Sequence, residues 1–132
     1  MKVIVTSGYF DPIHKGHIEY LKLAKKLGDR LIVILNNDLQ CKLKKGKSFM
    51  KEDERKIILE SLSFVDDVYL SIDKDESVCK SLTFLVPDIF AKGGDRFSNE
   101  IPEKKICDEL NIKIVDNLGK KIQSSSNLTG IK

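Results

Sequence analysis

Val3-Ile4-Val5-Thr6-Ser7-Gly8-Tyr9-Phe10-Asp11-Pro12-Ile13-His14-Lys15-Gly16-His17 leads from a β-branched run, through a turn rich in glycine and proline, into an amphipathic repeat. Val3 to Thr6 predicts a first strand. From Gly16 to Leu27 the apolar residues Ile18, Leu21, Leu23, Ala24 and Leu27 keep helical spacing, and Gly28 supplies a stop. Ile32 to Leu35 is apolar on both faces, as in a strand covered by helices on each side. Together these segments make one βαβ unit. Both histidines of the chain fall at its strand-to-helix junction, where such a fold holds an anion against free helix N–H groups.

The alternation continues to the C-terminus. Asn36 to Lys51 reads as a polar, lysine-rich loop whose length in so small a domain points to function. Glu52 to Leu62 has helical spacing, Val68 to Leu70 predicts a third strand, and Ser77 to Leu85 a helix. Ile89 to Ala91 follows as a fourth strand, Ile101 to Leu110 as a helix with Pro102 in its first turn, and Ile112 to Val115 as a fifth strand. Ser124 to Ile131 predicts a short terminal helix with a serine cap. The expected architecture is α/β: a Rossmann-like, doubly wound sheet of about five parallel strands with helices on both faces, forming one domain over residues 1–132. Ligands of such sheets bind beyond the carboxyl ends of the strands where the winding reverses, so the loops after strands one and four matter most.

Composition narrows the partners. The chain has 132 residues, enough for a hydrophobic core without disulfides. Its 23 basic and 20 acidic residues leave a net charge of +3, too balanced to favour nucleic acid over a small anion. Cys41, Cys79 and Cys107 are odd in number and widely spaced, which argues against a disulfide framework or a thiolate zinc site. No run approaches the roughly 18 apolar residues of a membrane span, and the expectation is a cytoplasmic protein with no membrane partner.

The candidate chemistry follows from residue types. His14 and His17 can donate hydrogen bonds to a phosphate, and Gly16 between them permits close backbone approach. A metal shared by the two imidazoles lacks a third ligand, since there is no other histidine and no nearby cysteine; no residue is assigned to direct metal ligation. Asp11 is placed to orient a histidine or to anchor the turn. Gly46-Lys47-Ser48 does not make a P-loop, because Cys41 stands where the first glycine is required and no strand immediately precedes it. Arg55 is a candidate phosphate ligand, with a helix-surface ion pair as the alternative.

The run Gly8-Tyr9-Phe10-Asp11-Pro12-Ile13-His14-Lys15-Gly16-His17 resembles the signature of the cytidylyltransferase-like nucleotidyltransferases, which include glycerol-3-phosphate cytidylyltransferases and heptose-phosphate adenylyltransferases. Further along, the lysine segment, Glu54-Arg55, Phe64 to Val68, Lys92-Gly93-Gly94-Asp95 and Ser124-Ser125-Ser126 follow the family's order. The resemblance implies attack of a substrate phosphate on the α-phosphorus of a nucleoside triphosphate, with pyrophosphate leaving. It makes His14, His17 and Lys44 the catalytic residues. It assigns Gly8, Tyr9, Phe10, Asp11, Gly16, Lys45, Lys92, Gly94, Asp95, Ser124, Ser125 and Ser126 to the nucleotide, and Arg55 and Arg96 to the acceptor. The glycerol-3-phosphate enzymes point to Lys44 as the working lysine and the heptose enzymes to Lys45.

The implied cofactor is Mg²⁺, bound mainly through the triphosphate. The partners are a nucleoside triphosphate and a small phosphorylated sugar or polyol, and a homodimer is added by analogy. Lys45-Gly46 and Lys92-Gly93-Gly94-Asp95 look more like the adenylyltransferases of heptose pathways, which feed carbohydrate or lipopolysaccharide synthesis. Asn117 to Gln123 lacks the Arg-Thr-x-Gly segment of the cytidylyltransferases. ATP is therefore favoured over CTP. FAD synthetase or phosphopantetheine adenylyltransferase chemistry, and a non-catalytic nucleotide-binding regulator, are the alternatives.

Overall fold

The computed structural model describes residues 1–93 and 101–118, to which every structural statement below refers. Ten elements follow in order: β1 (Val3–Gly8), α1 (Lys15–Lys25), β2 (Arg30–Leu35), α2 (Asp38–Lys45), α3 (Glu52–Glu60), β3 (Asp67–Leu70), α4 (Cys79–Leu85), β4 (Ile89–Gly93), α5 (Lys104–Glu109) and β5 (Lys113–Leu118). The strands form one sheet in the order β3-β2-β1-β4-β5, and every pairing is parallel. The winding reverses between β1 and β4, which puts the histidine segment at the crevice beyond the carboxyl ends of these two strands. The doubly wound α/β sheet expected from the sequence is the fold observed.

Strand periodicity divides the core in two. Ile4, Val33 and Ala91 face one cluster with Leu21 and Ala24 of α1 and Leu59 of α3. Their neighbours Val5, Ile34 and Phe90 face the other, with Leu82 of α4 and Cys107 of α5. Successive side chains on a strand point to opposite faces, so an apolar run such as Ile32 to Leu35 feeds both layers. Each fully buried Leu, Ile or Phe contributes about 1.5–3 kcal/mol. No helix among the described residues is long and apolar enough to cross a membrane.

Three local expectations are corrected. Asn36 to Lys51 is not one long loop, because Asp38–Lys45 folds as α2. Asn37 accepts from the Gln40 N–H, Gln40 accepts from the Asn37 N–H, and Gly46 closes the helix at φ 89°. Gly28 is not a left-handed stop: α1 ends at Lys25, and a Cβ at Gly28 would meet Ile4 Cδ1 at 2.7 Å and the Lys2 carbonyl at 2.9 Å. Its purpose is close approach to β1. Finally, α4 and α5 begin at Cys79 and Lys104, later than the periodicity predicts, and Pro102 precedes α5 rather than lying within it. The predicted helix over Ser124–Ile131 lies outside the described residues.

Candidate active site

The register of the sheet aligns the carboxyl ends that build the site. Gly8 pairs with Leu35 and Thr6 with Ala91. The Asn36 N–H donates to the Gly8 carbonyl at 2.9 Å, carrying the ladder one step past β2. Beside the crevice, the pairing Ala91 with Val115 is followed by Gly93 with Leu118, so β5 spends an extra residue there. A bulge of this kind re-aims strand ends where function needs it.

The two histidines start α1. His14 is its N-cap, and its Nδ1 accepts from the Gly16 N–H at 3.1 Å. In return the His17 Nδ1 accepts from the His14 N–H at 3.2 Å. This is a capping box written with imidazoles, and it has a chemical consequence. A neutral ring whose Nδ1 accepts carries its proton on Nε2, so each histidine keeps an Nε2–H donor on the far side of the ring. The rings stack at 3.8 Å between centroids and 21° between planes. Burial, with the neighbouring His14 second, pulls the His17 pKa down to about 4, so its ring is neutral and donating at physiological pH.

Behind His17 stands Phe10. Its ring meets His17 edge-on at 4.9 Å and is 3% exposed. Phe10 reaches this position through a left-handed backbone, φ 51°, and a Cβ on Gly8 would lie 2.8 Å from its ring. Phe10, expected at the nucleotide, thus contributes mainly as the support on which His17 rests.

Two clefts adjoin at Tyr9 and Lys44. One, about 320 Å³, is lined by Tyr9, Phe10, Asp11, Pro12, His14, His17, Lys44 and Lys45. The other, about 350 Å³, takes Ser7, Gly8 and Tyr9 from β1 and its loop, Asn36 and Lys44 from beyond β2, Glu76 and Val78 from before α4, Lys92 from β4, and Pro102 and Glu103 from before α5. Lys44 Nζ sits 4.8 Å over the Tyr9 ring, and Lys92 Nζ donates to Ser7 Oγ at 3.2 Å. Gly16 lies beneath His14, its hypothetical Cβ 3.1 Å from that ring.

The structure separates residues that the sequence grouped. Lys45 Nζ is committed to Asp11, bonding its carbonyl at 2.8 Å and its carboxylate at 3.1 Å. Asp11 does not orient a histidine. Its buried carboxylate also accepts from the Phe49 and Met50 N–H groups, at 2.7 and 2.6 Å, and so fastens the segment after α2 to the β1–α1 loop. Burial alone would raise its pKa; the two backbone donors and Lys45 outweigh that and hold it below the usual carboxylate range.

Arg55 requires the largest correction. Expected on a substrate phosphate, it is 1% exposed and lines neither cleft. Its guanidinium donates to the carbonyls of Met50 at 2.9 Å, Tyr9 at 2.8 Å and Asn36 at 2.7 Å, and to Asp38 Oδ1 at 2.8 Å. It is neither a phosphate ligand nor a surface ion pair but a clamp holding three loops in place. Gly94, Asp95, Arg96, Ser124, Ser125 and Ser126 lie outside the described residues.

Sequence reasoning missed Asn36, Glu76 and Glu103. Asn36 could have been found from its place one residue past a parallel strand, where ligands of such sheets bind. Nothing local marks the two glutamates, which reach the cleft through tertiary packing. Among the described residues, no three His, Cys, Asp or Glu side chains converge as a metal cage.

The family model described as cytidylyltransferase-like matches residues 5–126. The chain is 40% identical over 113 residues to the bifunctional protein HldE of Helicobacter pylori, and 36% identical over 113 residues to that of Campylobacter concisus. Each match covers 84% of this chain and 24% of the relative, so the chain spans about a quarter of the length of these curated proteins. Among solved structures it resembles the lipopolysaccharide core biosynthesis protein from Thermoplasma volcanium, with a TM-score of 0.76 and 30% identity, covering 89% of this chain and 96% of that one.

Proposed function

We propose that this chain, which belongs to the cytidylyltransferase-like family, transfers AMP from ATP to a phosphorylated sugar of the heptose-phosphate type and releases pyrophosphate. One observation carries the reading: the reciprocal cap between His14 and His17 leaves two Nε2–H donors beside a cleft that Lys44 also lines. An oxygen of the acceptor phosphate forms the new bond to the α-phosphorus, the bond to the bridging oxygen breaks, and pyrophosphate departs with that electron pair. A phosphate monoester already carries the attacking charge, so positioning and charge stabilisation do most of the work.

In this reading His14 and His17 donate to the α-phosphate oxygens as negative charge grows there, without giving up their protons. Lys44 stands between the two clefts and neutralises phosphate oxygens from both sides. Tyr9 sits under its ammonium and limits where that charge can go. Lys92, Gly94, Asp95 and the serines 124–126 are proposed for the nucleotide, and Arg96 for the acceptor. The described donor set fits a Mg²⁺ that arrives on the nucleotide, because the Asp11 carboxylate is already occupied by Phe49, Met50 and Lys45. Such an ion supplies neutralisation of the leaving pyrophosphate.

Support for the acceptor class comes from the Lys45-Gly46 and Lys92-Gly93-Gly94-Asp95 resemblances and from the likeness to the Thermoplasma volcanium protein of lipopolysaccharide core biosynthesis. The test is pyrophosphate release with ATP or CTP, Mg²⁺ and a panel of a heptose 1-phosphate, glycerol 3-phosphate, 4′-phosphopantetheine and FMN. ATP with the heptose phosphate is expected to give the highest kcat/KM. Preference for CTP with glycerol 3-phosphate would reverse the assignment, and no pyrophosphate from any pair would leave a nucleotide-binding regulator.

A further inference from the structure

The larger cleft has a lining that a phosphate alone does not explain. Lys44 and Lys92 are matched by two carboxylates, Glu76 and Glu103, and by the amide of Asn36. Glu103 is 4% exposed, and one of its oxygens, Oε2, accepts the Val78 N–H at 2.8 Å. Asn36 is 3% exposed, with its backbone N–H and carbonyl already bonded to Gly8 and Arg55. Its hydrogen bonds to other described residues run through its backbone, and its side-chain amide lines the cleft. An amide at the wall of a cleft with no side-chain bond to another described residue is open to a ligand there.

The wall carrying these groups is firmly held. Gln40 donates through Nε2 to the carbonyls of Asp75 and Ser77, at 2.7 and 2.8 Å, on either side of Glu76. Asp73, 2% exposed, accepts from the Lys80 and Ser81 N–H groups at the start of α4. Fixed groups of this kind discriminate between ligands because they cannot follow the wrong one.

We propose that Asn36 and Glu103, with Glu76 beside them, recognise the hydroxyls of the acceptor, and that the larger cleft selects a polyhydroxylated sugar phosphate by placing its hydroxyl face on them. The inference rests on the reading that a phosphorylated sugar is the acceptor. A carboxylate only accepts hydrogen bonds and a primary amide both accepts and donates, which suits hydroxyls and repels a second phosphate. The acceptor's phosphate turns towards Lys44, the residue shared with the histidine cleft, and so meets the α-phosphorus there.

The experiment pairs a change in the protein with a change in the ligand. Glu103→Gln keeps an oxygen for the Val78 N–H but replaces the other oxygen with a donor; Asn36→Ala removes the amide. Each is assayed with ATP against a heptose 1-phosphate and its monodeoxy analogues. Loss of a hydrogen bond to a charged group predicts a rise of ~10–100-fold in acceptor KM for Glu103→Gln, with ATP KM within ~2-fold. One monodeoxy analogue should bind wild type and variant alike, because the partner of Glu103 is missing from it. Equal losses with every analogue, or equal losses for ATP and acceptor, would overturn the inference.

If wild type turns over no acceptor, the functional reading has failed, and calorimetric titration of the heptose 1-phosphate judges the inference separately. Binding that weakens in Glu103→Gln supports it, and no binding ends it. Should Glu103→Gln not fold, Asn36→Ala and the exposed Glu76→Gln carry the same comparison, with an unchanged acceptor KM in both counting against the proposal.

Discussion

Replacing Arg55 by methionine tests how the site is held together. The side chain donates four hydrogen bonds from a position 1% exposed, three of them to carbonyls on separate loops. Methionine fills similar space but leaves those three carbonyls without their donor. Each such group costs about 1–3 kcal/mol when buried, though the terms are not additive and loops can relax towards water. Asp38 is 34% exposed and can rehydrate, which limits its share. Breaking a buried, hydrogen-bonded charge pair typically costs about 3–5 kcal/mol, and that range is expected here.

For a domain of this size a loss of that order lowers Tm by roughly 10–20 °C. Urea and thermal unfolding followed by circular dichroism measure it directly. Arg55→Lys should fall between wild type and Arg55→Met, because one ammonium cannot span the same four acceptors. If Arg55→Met unfolds within about 1 kcal/mol of wild type while the KM for a phosphate substrate rises tenfold or more, the clamp is wrong and the guanidinium belongs on the substrate.

Other outcomes follow from neighbouring contacts. His17 has a folded pKa of about 4 against 6.5 for the free ring, so between those values only the unfolded chain takes the proton and stability rises with pH. The gap is worth up to about 3 kcal/mol, reduced to about 1–2 by solvent around a partly exposed ring; a urea series in this pH window should show the slope and lose it in His17→Gln. Gly8→Ala puts a Cβ 2.8 Å from the Phe10 ring, which is buried and locked by its left-handed backbone; a loss of about 1–3 kcal/mol in urea unfolding is expected, partly recovered by adding Phe10→Leu. Lys45→Ala should cost about 1 kcal/mol of stability by releasing Asp11, whereas Lys44→Ala should leave unfolding unchanged and lower kcat/KM at least ~10-fold.

The parts of the fold legible in the sequence are those with a local period. Ile32 to Leu35 announces a strand buried on both sides, and Ile18, Leu21 and Ala24 announce the helix beside it, because each pattern needs only its own residues. From these the parallel, doubly wound sheet and the crevice at His14 and His17 follow, whereas the strand order β3-β2-β1-β4-β5 is seen only in the structure. α2 is hidden because it has no buried apolar face to announce it: only Gln40 and Cys41 are buried, and its signature is in the caps, Asn37 with Gln40 at one end and Gly46 at the other. Arg55 is misleading for a different reason. Its burial is created by Tyr9, Asn36 and Met50 arriving from three loops, and no spacing along α3 encodes that meeting.

The histidine pair raises the question of why a capping box should be built from imidazoles, when serine and glutamate satisfy the same N–H groups. A serine has one short hydroxyl, which is taken up at the helix, and the second oxygen of a glutamate can only accept a hydrogen bond, not donate one to a phosphate. An imidazole has two nitrogens on opposite sides, so the bond that starts α1 also sets the tautomer and leaves a donor pointing outward. Folding and chemistry can therefore be separated by substitution. Asparagine is a strong N-cap and glutamine is a normal third residue of a capping box, so His14→Asn and His17→Gln should retain α1, with stability near neutral pH within about 1 kcal/mol of wild type. Each carboxamide spends its oxygen on the helix, and its NH₂, held on the same carbon as that oxygen, leaves at a different angle from the Nε2–H and is not aimed as that donor is. Removal of one preorganised donor to a developing oxyanion costs about 10²–10³ in kcat, and each variant should lose that much with ATP binding nearly unchanged. A fully active His14→Asn would mean that the ring serves the helix alone, and charge stabilisation at phosphorus would then have to come from the lysines.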